Sequence, residues 1–237
     1  MLVAVSLDKL ISEGYIVNKY SQCVGRTVRA RKQRTAVRQK VIAEEALGMV
    51  AIHGLPGMSI ADLAQRVGLV PSGIYRHFKG KEEILEAVLD LIRERLYAIV
   101  DEVSRTTSDP LERLGRVLHL HLDLIQKSPA IPRIVFSEGI FSENDHRRTQ
   151  VRQIVEGYLE KVTEIIYLGQ KEGRIRPDVE PKTVAIMFLG LIQPLIILSH
   201  TTDGKFDVTR HVQQAWPLFL ELIQGQTGRS GSRIEST

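Results

Sequence analysis

Apolar residues in this chain recur at intervals of three and four, the spacing of one helix face, and the pattern predicts helix after helix. Val41, Ile42, Ala46, Met49 and Val50 give an inner face to a first helix running from Thr35 to His53, closed by Gly54 before a Pro56-Gly57 turn. Ser59 opens the next helix as its cap, with Asp62 three residues on in the capping-box position. Ile60, Leu63, Ala64 and Val67 form its apolar side, and Gly68 follows where a left-handed closing residue is expected. Pro71 fits the first turn of a new helix through Phe78, with Ile74 and Phe78 as its inward edge. After a Lys79-Gly80 link, a long helix opens at Lys81 with Glu82 and Glu83 in its first turn, favourable to the helix dipole. Its stripe runs through Ile84, Leu85, Val88, Leu89, Ile92, Leu96, Ile99, Val100 and Val103.

The second half continues the pattern, so the fold class is all-α. Leu111–Lys127 carries Leu114, Leu118, His121, Leu122 and Ile125 on one face and Glu112, Arg116, His119 and Asp123 on the other. His119 and His121 are thereby split across the helix and cannot clasp a metal together; no metal site is expected. A short helix or turn is expected over Ile131–Phe141, then a helix from Asn144 to Gln170 with Val151, Val155, Tyr158, Val162 and Ile165 buried. Glu156, Glu160 and Glu164 make a solvated acidic row on its outer side. The segment from Pro181 to His200 is apolar on every side, which for a helix means burial all round, here expected between a core and a partner subunit. Gln193-Pro194 inside it should kink the helix and makes it a poor membrane span. Val208, Val212, Ala215, Trp216, Phe219, Leu220 and Ile223 form the stripe of a last helix.

Two short helices with glycine at the bend make a helix-turn-helix, whose second helix can enter a DNA major groove. Ser72, Tyr75, Arg76 and His77 are left outside its buried edge, and each can donate hydrogen bonds to base edges or phosphates. The stretch SIADLAQRVGLVPSGIYRHFKGKEEIL resembles the DNA-binding segment of the TetR family of bacterial repressors over about fifty residues. Gly68, Gly73, Tyr75, His77, Phe78 and Lys81 meet the family pattern, whereas Val70 stands where many members carry a capping Ser or Thr.

Charge sharpens this picture. The net charge of the 237-residue chain is only +4, but Arg26, Arg29, Arg31, Lys32, Arg34, Arg38 and Lys40 fall close together with no acid among them. A basic block beside such a motif can neutralise phosphates, although alone it is equally a solvated tail. Hydrophobic residues are 43% and charged residues 25%, an ordinary balance for a chain with a real core. The lone Cys23 excludes an internal disulfide framework and suits a reducing compartment; with no signal peptide expected either, the expected location is cytoplasmic, at the bacterial nucleoid.

The expected organisation is a flexible basic extension over 1–33, a helix-turn-helix head over 34–80, a helical ligand and dimerisation domain over 81–224 and a disordered tail over 225–237. Residues expected at DNA are Arg34, Thr35, Arg38, Ser59, Pro71, Ser72, Gly73, Tyr75, Arg76, His77 and Lys81. The resemblance implies a homodimer on a palindromic operator in double-stranded DNA, heads spaced by roughly one duplex turn of 34–36 Å, and a small-molecule inducer. A hydrophobic or amphipathic ligand is expected, lined by Leu118, His121, Leu122, Phe136, Tyr158, Phe188 and Gln193; each alone reads better as a core residue, and the expectation rests on the cavity as a whole. No phosphate loop, hydrolase elbow or HExxH motif suggests an enzyme, and no cofactor is expected. The rival is a helix-turn-helix architectural protein whose C-terminal half binds a protein partner.

Overall fold

The computed structural model describes residues 26–53, 57–136, 144–202 and 205–224, with side chains from Thr35 onward apart from Ala51 and His200. It divides into two compact units, Met1–Val37 and Arg38–Thr237. Every regular element among the described residues is helical: α1 (Arg26–His53), α2 (Ile60–Arg66), α3 (Pro71–Ile74), α4 (Lys81–Thr106), α5 (Pro110–Lys127), α6 (Ala130–Arg133), α7 (Asp145–Lys171), α8 (Pro181–Gly190), α9 (Gln193–Thr201) and α10 (Val208–Gln224).

α1 begins at Arg26, not at Thr35 as the cap signal suggested, so the end of the expected flexible extension is helical. No proline or glycine interrupts Arg26–Arg34, and Arg, Lys, Gln and Ala propagate a helix better than a threonine cap stops one. The expected closure at Gly54 and Pro56 lies outside the described residues, as do 1–25 and the tail 225–237.

Within the larger unit one apolar core runs from Ile42 and Met49 through Ile74, Ile84 and Ile92 to Leu118, Ile166 and Phe188. α4 threads its length, burying Ile84, Leu85, Val88, Leu89, Leu91, Ile92, Leu96, Val100 and Val103. α7 packs on α4, α5 and α8. At the α4–α7 crossing the Tyr97 hydroxyl lies 3.1 Å from the carbonyl of Gln153 and 3.3 Å from that of Ile154, and it donates to this pair. Gly157 makes room for that hydroxyl: a Cβ there would stand 2.1 Å from it.

The apolar stretch Pro181–Ser199 has a mean hydropathy of 1.8 but is not one rod. It breaks at Leu191 and Ile192 into α8 and α9, with Gln193 and Pro194 opening the second piece, where a proline costs no hydrogen bond. Helices of ten and nine residues are each about half of what crosses a bilayer, near 20 residues. In the single chain one side of the stretch is bare: Ile186, Met187, Ile197 and Leu198 are exposed, as are Leu218 and Leu222 of α10.

Gly157→Ala should displace the Tyr97 ring and destabilise the protein by about 1–2 kcal/mol. In a double-mutant cycle by chemical denaturation, Tyr97→Phe should offset part of that loss; strictly additive effects would show that the two side chains do not share this space.

Candidate functional site

The helix-turn-helix is built by local rules. The Ser59 hydroxyl accepts the N–H of Asp62 at 3.0 Å, capping α2. Gly68 takes φ +67°, a left-handed turn that a side chain would strain. It lets the N–H of Leu69 reach the carbonyl of Ala64 at 2.8 Å and close the helix. Val70 gives α3 no side-chain cap; Pro71 stands at the first helical position instead. α3 is a single α turn, shorter than the helix expected through Phe78. From Ile74 the chain tightens, the N–H of His77 bonding Ile74 three residues back at 2.8 Å.

This geometry sorts the candidate DNA residues. Ile74 and Phe78 are buried in the core. Gly73 is buried too, and a Cβ there would press on Leu69 at 3.3 Å, so it holds the two helices close rather than offering a contact. Pro71, Ser72, Tyr75 and Arg76 form an exposed surface, with Tyr75 56% exposed. His77 is half-buried, with its Nδ1 enclosed and unbonded among the described residues. Its carbonyl accepts from Gln39 Nε2 at 3.0 Å, fastening α1 to the end of the turn. Arg38 and Lys81 are exposed and Ser59 half-exposed. The Arg34 side chain lies outside the described residues, and Thr35 belongs to the smaller unit.

Lys81 opens α4 with a supported N-terminus. Glu83 accepts the N–H of Lys79 at 2.8 Å and pairs with its ammonium at 3.3 Å. The Lys79 N–H holds the Glu83 carboxyl below its usual range. Further along, Lys40 pairs with Glu94 at 3.0 Å and Glu44 with Arg95, tying α1 to α4. One residue on from Arg95, Leu96 faces a cavity.

That cavity opens to solvent. α4 supplies Leu96, α5 His121 and Ile125, α6 and the turn after it Ile131, Pro132, Val135 and Phe136, α7 Val151, Ile154, Val155 and Tyr158, and the α8–α9 stretch Leu189, Ile192, Gln193 and Ile196. Residues 134–136 form a π turn, a widened backbone often found beside functional sites. Of the residues expected here, His121, Phe136, Tyr158 and Gln193 line the wall. Leu118, Leu122 and Phe188 do not, and for these three the expectation is corrected. Leu118 and Leu122 are buried core residues of α5. Phe188 turns to α10, its ring 6.0 Å from that of Phe219. Periodicity shows which residues face inward but not whether inward is cavity or packing.

The polar corner of the cavity is a pair. His121 Nδ1 lies 2.9 Å from the Tyr158 hydroxyl, ring edge against ring face at 5.1 Å. Burial lowers His121 to about 4 and raises Tyr158 well above its ordinary value, so both are neutral. His119, by contrast, is exposed and bonds the carbonyl of Gly115. Tyr97, the Gln150 amide that donates to the Glu86 carbonyl at 3.0 Å, and the α1–α4 ion pairs were not found in the sequence, since only tertiary packing brings their partners together.

Because the folded His121 value lies below an unfolded one near 6.5, the unfolded chain binds the proton more readily and stability falls as pH drops from about 6.5 to about 4. This group accounts for up to roughly 3 kcal/mol across that window. Denaturation of His121→Leu and native protein should therefore show a difference that narrows as pH falls; parallel pH profiles would contradict a neutral buried imidazole.

Comparisons with known proteins agree with this architecture. Residues 42–88 match the family model described as bacterial regulatory proteins, tetR family, and residues 92–222 match that of the YsiA-like protein, C-terminal region. The nucleoid occlusion factor SlmA of Vibrio campbellii is 26% identical over 196 residues, covering 82% of this chain and all of that protein. The transcriptional regulator FadR of Bacillus subtilis, solved in complex with stearoyl-CoA, superposes with a TM-score of 0.64 at 22% identity, covering 77% of this chain and 97% of its own. The fatty acid degradation regulator FadR of Bacillus halodurans gives 0.67 at 19% identity, over 80% and 97%. With the C-terminal model alone spanning more than half of the chain and the helix-turn-helix model preceding it, the protein belongs to the TetR family of DNA-binding transcriptional regulators.

Proposed function

We propose that the protein is a homodimeric repressor released from a palindromic operator by an amphipathic acyl ligand, which it binds without transforming. The observation that carries this reading is the course of α4. Its first residue, Lys81, stands beside the recognition turn, and Leu96 of the same rigid helix lines the cavity. A ligand that favours one tilt of α4 acts on the head by its differential affinity for the two states.

The head is assigned to residues 34–80 and the ligand and dimerisation region to 81–224. Ser72, Tyr75 and Arg76 present the exposed recognition surface, with Pro71, Ser59, Lys81 and Arg38 as phosphate-side support and His77 as an anchor of the turn. The bare apolar row of Ile186, Met187, Ile197, Leu218 and Leu222 on α8, α9 and α10 supports a two-fold contact with a second copy. Acyl chemistry is supported by the apolar wall and by the stearoyl-CoA of the B. subtilis neighbour.

SlmA similarity supports a second reading, a nucleoid-associated architectural factor with a protein partner. A genome-wide footprint separates the two: a few operators for the repressor, many dispersed sites for the architectural factor.

On operator and random duplexes, Tyr75→Ala should weaken binding to both, whereas Ser72→Ala and Arg76→Ala should relax base preference by about 1–3 kcal/mol. Equal losses on both duplexes for all three would refute the base-reading role. Decanoyl-CoA should raise the melting temperature, lower operator affinity of the sedimenting dimer by about 5–150-fold and be recovered intact. Unchanged operator affinity with bound decanoyl-CoA would refute ligand control.

A further inference from the structure

We infer that the cavity receives its ligand through a neutral hydrogen-bond acceptor, a thioester, ester or ketone carbonyl held by the His121–Tyr158 pair, and rejects a free carboxylate at that depth. This rests on the ligand-responsive reading of the same cavity and names the chemistry that the site selects.

The protons of the pair can be counted. With both groups neutral, the imidazole and the phenol hold one polar hydrogen each. One hydrogen occupies the 2.9 Å bond between Nδ1 and the hydroxyl. If the phenol donates, the imidazole proton sits on Nε2; if Nδ1 donates, the phenol proton is free. Either tautomer leaves one donor for a guest. His121 Nε2 makes no hydrogen bond among the described residues, although the side chain is buried. That nitrogen is not sealed off as the enclosed His77 Nδ1 is, so a guest in the cavity can reach it.

The same wall offers no counter-charge. None of its residues is Asp, Glu, Lys or Arg, and beyond His121 and Tyr158 its polar side chain is the Gln193 amide, exposed at the edge. An ionised carboxylate carried to the pair would lose its hydration with no cation to replace it. A carbonyl oxygen needs one donor and finds one. A charged carrier attached to a thioester can remain at the solvent-facing side, so rejection of the acid does not exclude an acyl carrier conjugate. His121 does not titrate near neutral pH, because burial holds its value at about 4. Any pH dependence of binding between weak acid and neutrality therefore belongs to the ligand.

The test uses the full chain and three matched probes, methyl decanoate, decanoate and decane, titrated at about pH 7 and about pH 5.5. The ester should bind equally at both. Decanoate should bind on the order of a hundredfold more weakly than the ester at neutral pH and recover roughly tenfold per pH unit lowered, as its protonated fraction grows. Decane should bind more weakly than the ester; Tyr158→Phe and His121→Leu each leave one donor and should keep part of the ester's advantage, whereas the double variant should reduce the ester to the decane level. The native protein alone decides the main point if either variant fails to fold. Decanoate binding as tightly as the ester at neutral pH would overturn the inference and leave ligand control standing. Binding of none of the three would overturn both.

Discussion

Continuity of α4 is the constraint from which the rest follows. Its twenty-six residues carry no proline or glycine, and a stripe of nine buried side chains fixes the helix in one core from end to end. A rod so embedded cannot bend locally without exposing apolar surface, so displacement at one end must appear at the other. Leu96 in the cavity wall and Lys81 beside the recognition turn are therefore mechanically related although fifteen positions apart in sequence. The Tyr97 hydroxyl, donated to α7 carbonyls beside the Gly157 notch, marks where the rod crosses the cavity wall.

The cavity wall is mostly aliphatic, and its polar content is concentrated in one neutral pair. Placing both titratable groups of the wall in contact satisfies Nδ1 and the phenol against each other and leaves the remaining proton as a directional contact. An apolar pocket with a single polar reference point fixes a ligand's orientation while leaving its chain length to the shape of the wall.

The sequence made the head legible because its rules are local. A serine cap, a glycine at positive φ and a proline at the first helical position each act within a few residues, so Ser59, Gly68 and Pro71 could be assigned from spacing alone. Helix periodicity likewise gave the inward faces of α4, α5, α7 and α10. Where it failed, the deciding force was elsewhere in the chain. Thr35 looked like a cap, but nothing upstream stops the helix before Arg26. Leu118 and Phe188 face inward as their spacing demands, yet one is core and the other packs on Phe219 rather than lining space. Composition after Pro181 told of an apolar stretch but not of which residues stay bare in a single copy; Ile186, Ile197 and, on α10, Leu218 are those residues.

How firmly the head is fastened determines whether a small guest can move it. Two ion pairs join α1 to α4, and the Lys40–Glu94 partners are 59% and 57% exposed. Such a pair contributes at most about 1 kcal/mol and less as salt rises. The Glu44–Arg95 pair is better sheltered, with side chains 38% and 28% exposed, but still reaches solvent. Ile42 and Met49 of the head and Ile84 and Val88 of the rod also belong to one apolar core, and apolar packing is less selective about small rotations than a buried polar lock. A fastening of this kind keeps the head attached in every state and leaves its angle adjustable. Ligand coupling of about 1–3 kcal/mol is then comparable with the polar contacts that must rearrange, and far below what detaching the head would require.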